Sequence, residues 1–186
     1  MEFTLYYRGP LKSNRGAKEK HELRAHFHKQ LKNLWDQKPL NSLKDKMLNK
    51  TADDQSLNVI KKIKDFEFAP LVAEKAGLIA ELSIILLRPE PPGSIIQSSG
   101  DIDNRLKTLL DALKVPASPG ELPTDAVPQD DQTPFFCLLE DDALITKISV
   151  STDRLLEPVV DQSEVVVQIH VLTKKIVVYW GTIGLP

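Results

Sequence analysis

The sequence predicts an α+β fold, a small mixed β-sheet flanked by helices within one domain spanning residues 1–186. Three observations carry this. Short apolar–polar alternations mark strands at both ends of the chain. Two segments with a period near 3.6 mark helices between them. The two patterns are mixed along the chain without a regular βαβ repeat. The length of 186 residues suits one domain. A hydrophobic fraction of 41% allows a packed core, and a charged fraction of 27% is ordinary for a soluble chain.

The elements follow in order. Phe3, Leu5 and Tyr7 alternate with Glu2, Thr4 and Tyr6, which is a strand pattern, and Gly9-Pro10 ends it. Arg8 to Arg15 reads as a basic loop. From Ala17 to Asp36, Leu23, Phe27, Leu31 and Leu34 recur on one helical face, and Pro39 stops the helix. Its polar face, with Lys18, Lys20, Arg24, Lys29 and Lys32, reads as basic and suited to phosphate contacts. His21, His26 and His28 on this helix read as solvated or phosphate-contacting. His21 and His28 lie two turns apart, too far for one metal ion on a regular helix.

Residues 41–60 are polar and weakly periodic, an insertion or an extra helix. Phe66–Val72 predicts a short strand, and Gly77–Arg88, rich in Ile, Leu and Ala, a central one that Pro89-Glu90-Pro91-Pro92-Gly93 terminates. Ile102, Leu106, Leu109, Leu110 and Leu113 form an apolar stripe, so a helix is predicted over Ile102–Lys114. Residues 115–134 hold five prolines and read as a long loop. Cys137, among Phe135, Phe136, Leu138 and Leu139, reads as a buried small hydrophobe. Strands are expected over Ala143–Asp153 and Ser163–Leu172, with a last short one over Ile176–Trp180.

No apolar run is long enough to span a bilayer. The N-terminus lacks the basic and apolar regions of a secretory signal. A single cysteine forms no internal disulfide. These features predict a cytoplasmic protein with no membrane partner. The net charge of −2 offers no general basic excess for nucleic acid. The average hides a division, however. Arg8 to Lys50 is rich in Lys and Arg, whereas acids concentrate after Asp101.

Candidate chemistry lies in the acids. Asp101 and Asp103 flank Ile102 at the start of the leucine-striped helix, and Lys107 follows one turn on. Glu140, Asp141 and Asp142 precede a strand. Structural roles account for each group taken alone: Asp caps helices, first-turn acids complement the dipole, Asp103–Lys107 has ion-pair spacing, and Glu140-Asp141-Asp142 reads as a solvated turn. Taken together, carboxylates at i and i+2 of a loop–helix junction can aim at one point, and a third from a strand end would complete a hard-oxygen site for magnesium. Lys107 would then face a phosphate as a cation.

Gly100-Asp101-Ile102-Asp103-Asn104-Arg105-Leu106-Lys107, then Leu110-Asp111-Ala112-Leu113 and Asp141-Asp142-Ala143-Leu144-Ile145, resemble the motifs of the RusA family of Holliday junction resolvases. Leu11-Lys12-Ser13-Asn14 is similar, more weakly, to that family's N-terminal segment. The resemblance implies a RusA-like fold and a homodimer that cleaves branched DNA in recombination and repair, with magnesium as cofactor and manganese as a substitute. It implies Asp101, Asp103, Lys107 and Asp142 as catalytic residues, of which Asp101, Asp103 and Asp142 bind metal. Lys12, Asn14, Arg15, Lys18 and Arg24 are the expected DNA contacts. The sequence departs from the family in its longer connection over 115–140, its Gly100 and its lower basicity. The alternatives are a non-catalytic RusA-like module that binds DNA or protein, and a nuclease for another nucleic-acid shape.

Overall fold

The computed structural model describes residues 1–11, 16–49, 57–89, 102–159, 161 and 163–176. It is α+β, with two mixed sheets and helices packed between and beside them. Seven strands are present among these residues: β1 (Glu2–Pro10), β2 (Lys61–Ile63), β3 (Phe66–Val72), β4 (Leu78–Arg88), β5 (Phe135–Leu139), β6 (Ile145–Arg154) and β7 (Glu164–Lys175). The helices are α1 (Ala17–Trp35), the single turn α2 (Lys44–Met47) and α3 (Ile102–Leu113).

The larger sheet has the order β1-β7-β4-β6. β7 is antiparallel to both β1 and β4, and β6 runs parallel to β4. Alternation fixes its faces. Leu82, Ile84 and Leu86 of β4, and Val165, Val167, Ile169 and Val171 of β7, are buried on one side. Ser83, Ile85 and Gln168 face outward. One face is therefore packed and the other meets water, as antiparallel sheets allow.

The smaller sheet, β2-β3-β5, holds the parallel pair β3–β5. Every residue of β5 is buried, and so are Phe66, Phe68, Ala69, Leu71 and Val72 of β3. The period-2 signal disappears when both faces are covered. That is why Phe135–Leu139, read in the sequence only as the surroundings of a buried cysteine, proves to be a strand. Cys137 is indeed 2% exposed, and burial pushes its thiol pKa up to about 12 against the opposing charge of Arg24.

α1 packs against β5, α3 and β1 and so joins the two sheets. Its apolar stripe of Leu23, Phe27 and Leu31 is buried as expected, with Trp35 added. The stretch 41–60 contributes Met47 and Val59 to the main core, so its described part is more than a surface addition. The proline-rich segment carries 3₁₀ turns at Pro119–Glu121 and Asp130–Gln132, and it packs Val115 and Leu122 against Phe66, Phe68 and Phe135. Between β3 and β4 the chain turns at Gly77, whose φ of +62° suits glycine. Of the expected last strand, residues 177–180 lie outside the described residues.

Candidate functional site

α3 and the segment before β6 carry the predicted acids. The apolar stripe of α3 faces inward through Leu109, Ala112 and Leu113, which turns Asp103 and Lys107 to the surface. Asp103 Oδ1 accepts a hydrogen bond from the Asn104 N–H at 2.8 Å. Lys107 has no ion-pair partner among the described residues. Asp101, which precedes α3, lies outside the described residues, as do Lys12, Asn14 and Arg15.

Asp142 begins a 3₁₀ turn, Asp142–Leu144, that leads into β6. Asp141 caps this turn, with Oδ1 accepting from the Ala143 N–H at 2.8 Å. Glu140 has a structural role. Its Oε2 accepts from the Glu74 N–H at 3.0 Å, and its Oε1 lies 2.6 Å from Lys61 Nζ. Asp141 thus has a structural role in this turn as well.

Asp142 meets α3 near its end. Lys114 Nζ, just beyond the helix, lies 3.2 Å from Asp142 Oδ2. Partial burial pushes the Asp142 carboxyl up, but the hydrogen bond and charge of Lys114 outweigh this and hold its pKa below the usual carboxylate range. Lys114 is raised in turn, with Asp142 overcoming the desolvation of its ammonium. Asp103 and Lys114 share one stripe of the helix, separated by about 16 Å of rise at 1.5 Å per residue. Asp142 therefore attaches through Lys114 to the opposite end of the helix from Asp103. Among the described residues no three His, Cys, Asp or Glu side chains are grouped to hold a metal.

The basic face of α1 requires correction. Arg24 is 1% exposed. Its Nε donates to the Lys114 carbonyl at 3.1 Å and its Nη2 to the Asp111 carbonyl at 2.8 Å. It thus satisfies carbonyls that the end of α3 leaves without helical partners, and its burial removes it from the predicted DNA contacts. Lys20 pairs with Asp111 at 2.6 Å, and Lys32 donates to the Asp131 carbonyl at 3.1 Å. Lys18 and Lys29 remain exposed. A helical wheel separates apolar from polar positions, but it cannot tell a solvated cation from one turned toward the carbonyls of a neighbouring helix.

Two of the three histidines expected to be solvated or phosphate-contacting, His21 and His28, are instead packed inside. His28 is fully buried. Its Nδ1 accepts from the Phe136 N–H at 2.8 Å, which leaves Nε2 to donate to the Asp131 carbonyl at 3.1 Å. His21 packs edge-on to Phe66, with ring centroids 5.3 Å apart, and beside Phe135 at 5.6 Å. Burial, helped by the nearby Arg24 charge, lowers its pKa to about 4.

Sequence reasoning passed over Lys114 as a partner of the acids. The available signal was its spacing, seven residues after Lys107 and three after Asp111. A 310 Å³ surface cavity adjoins this region, lined by Lys61, Lys62, Pro116, Ala117, Glu140 and Asp141 among others. Comparison with protein families, with curated proteins and with solved structures finds no significant match to this chain.

Proposed function

We propose that the chain is a magnesium-dependent endonuclease acting on branched DNA. The observation that carries this reading is the exposed pair Asp103 and Lys107 on the stripe of α3 that runs on to Lys114 and Asp142. The supporting motif order is an acid pair opening a helix, a Lys one turn later, and an acid pair ahead of a strand.

The donor chemistry suits a hard cation. Asp103 and Asp142 offer carboxylate oxygens at exposed positions, and Asp101 adds a third carboxyl two residues before Asp103. When bound, such an ion supplies charge for a phosphoryl oxygen and lowers the pKa of water. Asp103 would hold it with the oxygen not given to Asn104. Asp142, held by Lys114 about 16 Å further along α3, is out of reach of that ion and would join it only if the segment before β6 moved toward Asp103. Lys107 would orient a scissile phosphate by charge, and Lys18, on the exposed side of α1, would contact the backbone of the DNA. A two-fold dimer would offer two such sites to the equivalent strands of a four-way junction.

The test is cleavage of labelled four-way junctions with magnesium or with chelator. Asp101→Asn, Asp103→Asn and Asp142→Asn are each expected to abolish nicking while circular dichroism stays unchanged. Lys107→Ala should slow it by about a hundredfold or more, the scale of one lost electrostatic stabiliser. Wild-type rates in any carboxylate variant would remove that residue from the mechanism.

A second reading has its own observation. Lys114 neutralises Asp142, and Lys20 and Arg24 are spent inside the fold, which suits a module that binds without cutting. Junction binding that survives chelation, with no nicking in magnesium, would favour it. Flap and single-stranded substrates in the same panel address a nuclease for other shapes.

A further inference from the structure

The larger sheet ends in β1 on one side and β6 on the other. The two edges differ. On β1, Gln30 Oε1 accepts from the Tyr6 N–H at 2.9 Å, and Gln30 Nε2 donates to the Tyr6 carbonyl at 2.7 Å. His26 Nε2 reaches the same carbonyl at 3.0 Å. Side chains of α1 thus take the place of a neighbouring strand. Among the described residues, β6 has no such cover.

β6 is ten residues long and pairs only with β4 among the described strands. Just past its end, the Leu155 N–H donates to the Arg88 carbonyl at 2.6 Å. From Lys147 on, alternation then turns the backbone groups of odd-numbered residues toward β4 and those of Ile148, Val150 and Thr152 away from it, while a register shift opposite Ala80 and Glu81 interrupts the alternation at Thr146. The Arg154 N–H is taken by Asp153 Oδ1 at 2.7 Å, which closes the free row at that end. Side chains alternate as well. Ile148 and Val150 stand beside the buried Leu82 and Ile84, yet Ile148 is 42% exposed. Lys147 and Asp153 lie on the outer face, beside Glu81 and Leu87.

We infer that β6 is a dimer seam, pairing antiparallel with β6 of a second copy about a two-fold axis at Val150. Every residue then faces the one equally far on the other side of Val150. Ile148 of each copy meets Thr152 of the other, and the two Val150 residues meet each other, so their free groups come together as hydrogen-bonded pairs, while Thr146 faces Arg154 at the end of the seam. Lys147 of each copy opposes Asp153 of the other, so the charge match occurs twice. Ile148 lies against Thr152 of the second copy and loses its exposure. Moving the axis to Ser149 opposes Lys147 to Ser151, and moving it to Ser151 opposes Lys147 to Leu155, so neither register matches the charges. Lone charges on an edge strand deter pairing. Here opposite charges sit symmetrically about the centre and select one register. This names a surface for the dimer that the nuclease reading expects, but it rests on the edge geometry alone. Loss of the dimer and loss of cleavage are therefore distinguishable results.

The experiment is sedimentation equilibrium of the full chain over a range of concentrations. Wild type is expected to reach the mass of two chains. Lys147→Glu and Asp153→Lys should each weaken dimerisation by about tenfold, since two like-charge contacts replace two opposite ones. The combined swap should restore it. Val150→Pro removes an outward N–H and should give monomer with an unchanged circular dichroism spectrum. A monomeric wild type at every concentration would overturn the seam. So would a dimer indifferent to both single reversals, or a double swap that rescues nothing.

Discussion

Arg24 carries its charge inside the protein. Its guanidinium joins α1 to the last carbonyls of α3, and burial disfavours its charged form. Arg24→Leu keeps apolar bulk but leaves the Asp111 and Lys114 carbonyls without these donors. It should destabilise the fold by about 2–3 kcal/mol, the scale of hydrogen bonds to a charged donor. Urea denaturation measures this, and a change below about 0.5 kcal/mol would contradict the role. His21 and His28 act through pH. Burial lowers both from the usual 6.5, His21 to about 4. The unfolded chain therefore takes up protons before the folded one does. The stability from holding these rings neutral is complete above about pH 6.5 and is lost as pH falls toward 4. Tm should drop across that window. His21→Phe, which keeps a ring beside Phe66 and Phe135 and removes a buried, unpartnered Nδ1, should flatten the drop. An equally steep profile in that variant would place the acid sensitivity elsewhere.

At the scale of elements, what the sequence revealed depended on periodicity. α1, α3 and β7 were legible within a few residues because each carries an apolar face at its own period, and β3 and β4 because their apolar runs end in turn or proline signals. β5 was not, because a strand buried on both faces has no alternation to read. The exposed positions of Asp103 and Lys107 on α3 followed directly from its leucine stripe. The role of Arg24 did not, because the carbonyls it satisfies lie ninety residues away in the chain. Lys114 was missed for a similar reason: only the fold brings it to Asp142. That pair has a consequence at the same scale. Lys114→Ala should raise the Asp142 pKa toward the ordinary carboxylate value by removing its main charge partner, which an NMR titration of the side-chain carboxyl would detect. An unchanged Asp142 titration would show that the pair contributes nothing in solution.

For the whole molecule, α1 is the joint on which both sheets depend. It contributes Leu23, Phe27, Leu31 and Trp35 to the main core and His28 to β5 and the connection before it. Truncating His28 to Ala would remove an acceptor for the Phe136 N–H and open a void beside Phe135 and Phe136. We expect a loss of about 2–4 kcal/mol in a single cooperative transition by denaturant. Two separate transitions would mean that the sheets fold independently. Among the described residues no helix is long and apolar enough to cross a membrane.

Gln30 has a consequence for how far assembly can proceed. A sheet that is sticky along both borders propagates into filaments, whereas one that is sticky along a single border stops once two molecules have met. By mimicking a peptide group against Tyr6, the Gln30 amide makes the chain one-sided. Gln30→Ala should therefore leave α3 and the segment before β6 untouched while allowing growth beyond a pair, visible as rising light scattering. A solution that stays clear and of fixed mass would show that Tyr6 needs no guard.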